Sequence, residues 1–196
     1  MSPDPSCDPD IGRFMALSGE TRQRIAKVKL LILDVDGVLT DGGLYYTPDG
    51  AVTKRFHVHD GLGITLAREL DFLNIAVITG QDKPSVAARM RELHIDAYFP
   101  GFADKRESFE TARARYNLAS EEVAFLGDDW IDIPVMMRAG VPLAVANAQP
   151  EVKSSALYVT RARGGDGAVR EAIRLILHCK GQLDRVFETW LKRYGS

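Results

Sequence analysis

The sequence predicts an α/β protein, a doubly wound parallel sheet with helices on both faces. Short apolar runs recur along the chain at Leu30–Leu33, Ala76–Ile78, Val123–Leu126 and Leu143–Ala146. Helix-like stretches alternate with them, at Leu62–Leu73, Pro84–Leu93, Lys105–Tyr116, Asp132–Ala139 and Ala168–Cys179. Continuous apolar strands separated by helices mark a parallel sheet buried on both faces. The length agrees, since 196 residues suffice for one packed domain and are short for two.

Residues 1–26 are expected to be an N-terminal extension, disordered or a short helix. Residues 1–12 combine prolines and acids with almost nothing to bury and should be disordered. Residues 13–27 can form a helix that buries Phe14, Leu17 and Ile25. Residues 27–180 should form the core. Within it, residues 44–58 (LYYTPDGAVTKRFHV) read as two strands around a Pro-Asp-Gly turn, a β-hairpin flap. Residues 161–167 (RARGGDG) form a glycine-rich segment ahead of the next helix. Residues 181–196 should be a C-terminal helix, with Leu183, Val186, Phe187, Trp190 and Leu191 along one side.

Bulk composition narrows the function. A formal net charge of −2 offers no basic field for nucleic acid or an anionic membrane. No apolar run approaches the ~18 residues of a membrane span. Two cysteines near opposite ends, Cys7 and Cys179, make no disulfide framework, and MSPDPSCDPDIG is unlike a signal peptide. A cytoplasmic protein is expected.

Ligands of open parallel sheets sit at the carboxyl ends of the strands. Asp34-Val35-Asp36-Gly37 follows the first run, Thr79-Gly80 the second and Gly127-Asp128-Asp129 the third. Each could singly cap a turn. Four acids brought to one edge would repel one another unless a cation organised them. Carboxylates without His or Cys companions suit Mg²⁺, which prefers oxygen ligands.

The ordered set D-x-D-G-V-L-T-D, T-G, a lone Lys105 opening a helix, and G-D-D-x-x-D resembles the four motifs of the haloacid dehalogenase-like phosphatases, over residues 28–150. The resemblance implies that Asp34 is a nucleophile forming an aspartyl-phosphate and that Asp36 is the general acid and base. It also implies that Thr79 bonds a phosphoryl oxygen and that Lys105 neutralises charge on phosphate and Asp34. Mg²⁺ would be held by Asp34, the Asp36 carbonyl and Asp128. Asp129 and Asp132 would orient Lys105 or metal-bound water. Receiver domains of signalling proteins also gather acids, a Thr and a Lys at one edge. Their acid pair follows the first strand while the phosphorylated Asp lies on a later one, unlike the D-x-D here.

Neither the segment between Asp36 and Thr79 nor that between Thr79 and Lys105 is long enough for a cap domain. With F-H-V-H-D-G-L-G-I after the hairpin and R-x-R-G-G-D-G-A-V-R-E near the end, the chain is similar to the capless tetrameric sugar-acid phosphatases, over residues 28–190. That resemblance implies a homotetramer assembled through the hairpins, a phosphorylated sugar-acid substrate, and a mobile tail at Gly164-Gly165-Asp166-Gly167 that closes a neighbouring site. Substrate contacts carried over by position are Asp36, His57, His59, Asp60, Gly61, Thr65, Gln81, Arg89 and Lys105. Three depart from the family pattern, which often has Arg at 59, Arg or Lys at 65 and Arg at 81. His57 and His59, two apart on a predicted strand, share a face. Without further ligands they are read as lining the cleft or an interface rather than binding zinc.

Overall fold

A computed structural model describes residues 8–195 of the chain. It begins with two short helices, α1 (Pro9–Ala16) and α2 (Gly19–Ala26), then β1 (Leu30–Leu33) and a tight turn over Val35–Leu39. The hairpin β2 (Tyr45–Tyr46) and β3 (Val52–Thr53) follows, then α3 (Val58–Glu69), β4 (Asn74–Thr79), α4 (Pro84–Glu92), β5 (Tyr98–Pro100) and α5 (Arg106–Arg115). The rest comprises β6 (Val123–Gly127), α6 (Ile133–Met136), β7 (Val141–Ala144), α7 (Pro150–Ser155), β8 (Tyr158–Val159), α8 (Ala168–Cys179) and α9 (Leu183–Tyr194).

Six strands make one sheet in the order β5-β4-β1-β6-β7-β8, every neighbouring pair parallel. Leu30 to Leu33 of central β1 are wholly buried, as a strand covered on both faces requires. Phe125, Phe109, Ile64 and Val86 fill the layers around it. The α/β doubly wound architecture matches the alternation read from sequence.

Several boundaries differ. The expected disorder over residues 1–12 is corrected from Asp8 onward, because Asp8 caps α1 by accepting the Asp10 N–H, and Phe14 is buried. Residues 1–7, with Cys7, lie outside the described residues. The helix expected over 13–27 is broken at Leu17–Ser18, where the Ser18 hydroxyl accepts the Thr21 N–H and starts α2. β5 lies in the segment between Thr79 and Lys105, which has room for a helix and a strand, whereas β8, too short for a periodic signal, matches no expected run. β7 starts two residues before the predicted run. α3 begins directly after the hairpin, four residues earlier than expected, so His59 lies on a helix rather than a strand.

Between β1 and β4 the chain inserts only the hairpin and α3, and between β4 and β5 only α4. Among the described residues no further domain covers the carboxyl edge of the sheet. Leu44, Tyr45 and Tyr46 of the hairpin stay exposed, whereas Val52 and Phe56 are half-buried. No helix among the described residues is long and apolar enough to cross a membrane.

Candidate active site

Asp34 leaves β1 with its N–H on the Leu126 carbonyl (3.1 Å), which extends the sheet by one bond and aims the carboxylate off the edge. The chain then turns sharply, with Gly37 at φ +87° and the Thr40 N–H and hydroxyl both on the Val35 carbonyl. A side chain at Gly37 would be strained and would strike the Asp128 carboxylate. The glycine therefore lets the first and third strand ends close on each other.

Lys105, immediately before α5, is 2% exposed. Its ammonium donates to Asp34 Oδ1 at 2.6 Å and Asp132 Oδ1 at 2.7 Å. The other Asp132 oxygen accepts the N–H groups of Asp128 (2.9 Å) and Asp129 (3.3 Å), so a fully buried carboxylate spends both oxygens. One oxygen each of Asp34, Asp128 and Asp132 lie within 4.8 Å of one another. With Asp132 committed to Lys105 and backbone, Asp34 and Asp128 are the two that could hold a cation. The donor set is all oxygen, as a hard divalent ion requires.

Electrostatics reflect this crowding. Burial, reinforced by Asp132, pushes the Asp34 carboxyl up to about 7 against the pull of Lys105. Burial also pushes Asp128 up to about 8, with Asp34, Asp132 and Asp129 adding to it. Burial works against the charge on Lys105, yet Asp34 and Asp132 outweigh it and raise its pKa. Without further positive charge, the cluster holds protons to higher pH than an isolated carboxyl would.

Thr79, at the end of β4, is buried with its hydroxyl accepting the Gln81 N–H (3.3 Å). Asp36 points at Lys54, whose ammonium contacts Asp36 Oδ1. Asp129 accepts the Trp130 N–H and caps the following turn, while Asp132 is the acid that meets Lys105, which leaves for Asp129 the other expected role, orienting metal-bound water.

The expected substrate contacts divide. His57 occupies the N-cap position of α3 without a side-chain capping bond, and His59 sits in its first turn, rings perpendicular and 5.0 Å apart. Asp60 is buried and accepts the N–H groups of Gly167 (3.2 Å) and Arg170 (2.7 Å), so it anchors the start of α8. Burial raises its pKa against those two donors. Gly61 packs under the Arg89 guanidinium, which also pairs with Glu92 (2.8 Å) and lies over the Phe56 ring. Thr65 is half-buried about two turns along α3, and Gln81 is exposed.

Gly164–Gly167 is not a free tail. The Gly164 N–H donates to Asn147 Oδ1 (2.6 Å), and the Gly165 N–H to the Val38 carbonyl (3.0 Å). Arg55 Nη1 donates to the Gly165 carbonyl (3.0 Å). A side chain at Gly164 would collide with the Gly37 carbonyl and approach Val38 N to 2.9 Å. The segment is wedged behind the Asp34–Thr40 turn of its own chain.

Three residues escaped the sequence reading. Asn147 follows β7 and bridges Gly37 (Nδ2 to the carbonyl, 3.0 Å) to Gly164. Reading the fourth strand end as the other three were read would have found it. Glu171 is a buried carboxylate that accepts from Arg161 N, Ala162 N, the Tyr158 hydroxyl and Arg13, and so braces the 161–167 segment. Lys54 looks in sequence like any solvated hairpin lysine.

A family model described as haloacid dehalogenase-like hydrolase matches residues 83–173. The 3-deoxy-D-manno-octulosonate 8-phosphate phosphatase of Escherichia coli is 42% identical over 86% of this chain and 89% of its own. The crystal structure of the phosphatase of that name from Moraxella catarrhalis, in complex with magnesium, phosphate and KDO, superposes with a TM-score of 0.83 at 33% identity, covering 87% of this chain and 98% of the other. A cobalt-bound deoxy-D-mannose-octulosonate 8-phosphate phosphatase from Haemophilus influenzae gives 0.80 at 36% identity, over 85% and 99%.

Proposed function

Since the chain belongs to the haloacid dehalogenase-like hydrolases, as a phosphoric monoester hydrolase, we propose that it hydrolyses 3-deoxy-D-manno-octulosonate 8-phosphate to KDO and phosphate. The observation carrying this is the convergence of Asp34, Lys105, Asp132 and Asp128 at one strand edge, in a chain so similar to phosphatases of that ester.

Asp34 attacks phosphorus, forming the aspartyl P–O bond as the ester P–O bond breaks. Asp36 gives its proton to the departing C8 oxygen, then takes one from the water that attacks the aspartyl-phosphate and returns Asp34 to a free carboxylate. Lys105 holds Asp34 in line and offsets charge on the transferring group, while the Thr79 hydroxyl bonds a phosphoryl oxygen. Asp132 holds Lys105 in place. Asp34, Asp128 and the Asp36 carbonyl would hold Mg²⁺, which when bound supplies positive charge to the transferring phosphoryl group. The all-oxygen donor set and the upward push that burial and crowding exert on the Asp34 and Asp128 carboxyls support a divalent cation there.

His57, His59, Gly61, Thr65, Gln81 and Arg89 surround the sugar acid in this reading. A homotetramer is proposed on the exposed Leu44, Tyr45 and Tyr46, apolar surface that a lone hairpin would leave in water. The reaction belongs to lipopolysaccharide biosynthesis in the cytoplasm. A second reading within the same class, a phosphatase for another sugar-acid phosphate such as ketodeoxynononate 9-phosphate, stands beside it because His59, Thr65 and Gln81 lack the guanidinium or ammonium charge that the family pattern places there for the sugar acid.

Phosphate release with Mg²⁺ across phosphorylated eight- and nine-carbon sugar acids tests the assignment. The octulosonate ester should give the highest kcat/KM. A value no better than that for generic phosphate esters would remove it.

A further inference from the structure

Lys54 ends the hairpin, one residue past β3. The backbone around it is largely exposed, yet its side chain is 0% exposed and its ammonium pairs with Asp36. Burying a lysine in a two-stranded flap is costly unless its charge is matched. The hairpin is secured for this placement. Thr40 bridges to Phe56, and Arg55 holds the Gly165 carbonyl. Asp36, by contrast, is one-third exposed on an extended stretch of backbone (φ −78°, ψ 113°), with Lys54 the sole hydrogen-bond donor to its carboxylate among the described residues.

Given Asp36 as the proton-transfer group of the proposed reaction, we infer that Lys54 is a positioning residue that fixes the Asp36 carboxylate for that transfer. Proton transfer needs the carboxyl oxygen within hydrogen-bond reach of the leaving oxygen. A carboxylate rotating freely about two bonds spends little time there, and a displacement of about 1 Å costs on the order of 100-fold. Seating of the hairpin is thereby coupled to chemistry rather than only to closure of the cleft.

Leaving groups separate this role from substrate binding. Nitrophenolate departs without a proton, whereas the alkoxide of a sugar ester does not. Lys54→Met, Lys54→Gln, Lys54→Arg and Asp36→Asn are compared on p-nitrophenyl phosphate and the octulosonate ester, with thermal melts to confirm folding. Lys54→Met and Lys54→Gln should lower kcat on the sugar ester about 100-fold with KM little changed. On nitrophenyl phosphate they should give a nitrophenolate burst at the wild-type rate and then slow turnover, because water still needs Asp36 as base. Lys54→Arg should restore most of the loss. A raised KM for the sugar acid alone, with kcat intact, would show Lys54 binding substrate and overturn the inference. The burst pattern in Asp36→Asn but in neither Lys54→Met nor Lys54→Gln would overturn it while leaving the proposed reaction standing. Its absence in Asp36→Asn would overturn both.

Discussion

Replacing Lys105 with Met removes the cation that Asp34 and Asp132 share. At 2.6 and 2.7 Å, each pair attracts by about 6 kcal/mol at an effective dielectric of about 20. Burying the ammonium costs several kcal/mol in return, so deleting one partner of such a network nets ~3–5 kcal/mol. Asp34 already titrates at about 7, and the variant can relieve itself by taking up a proton. That holds the loss to about 3 kcal/mol at neutral pH. The sign with pH follows. Without Lys105 the folded pKa of Asp34 moves still further above its unfolded value of 3.8. The native state then binds more protons than the unfolded chain, and stability falls as pH rises from about 4 through the folded pKa. Urea unfolding followed by circular dichroism, in chelator at about pH 5 and about pH 8, should show a deficit that widens with pH. A variant no less stable than wild type at the higher pH would refute Lys105 as the counter-ion of the cluster.

Asp34→Asn should abolish phosphate release while leaving the circular dichroism spectrum and oligomeric state unchanged, and wild-type turnover in it would remove the covalent route. Asp34 and Asp128 both sit above the unfolded 3.8, at about 7 and about 8, so the metal-free protein should lose stability as pH rises through that window. Thermal melts should therefore show Mg²⁺ stabilising more at about pH 8 than at about pH 5.5, with protons released on binding, and a flat profile would place the cation elsewhere. Gly164→Ala drives a methyl into the Gly37 carbonyl. It should cost about 2 kcal/mol or more in urea melts and depress kcat, since the displaced backbone is that of the Asp34–Thr40 turn.

The chemistry-bearing residues were legible because they obey a local rule. Asp34, Thr79 and Asp128 each end an apolar run, and a parallel sheet delivers every such end to one edge. Lys105 was placed by its position in an ordered motif set, although an isolated helix-start lysine would pass for a solvated one. The surrounding residues follow no local rule. Asp60 lies in a stretch expected to meet substrate but is taken up by the start of α8, and His59 changed from strand to helix when α3 began early.

What the sequence alone determined is the central strands of the sheet and the acids at their ends, since periodicity and strand termini depend on neighbours a few positions apart. The tertiary structure alone decided what stands behind them. Arg55 reaches Gly165, Asn147 reaches Gly37 and Asp60 reaches Arg170, each contact spanning 110 positions. Contacts at that separation arise when packed elements meet, and nothing in the local pattern of either partner announces them. The burial of Lys54 against Asp36, only 18 positions away, is likewise a product of docking rather than of local pattern. A lysine in a hairpin becomes part of the site only once the hairpin has docked.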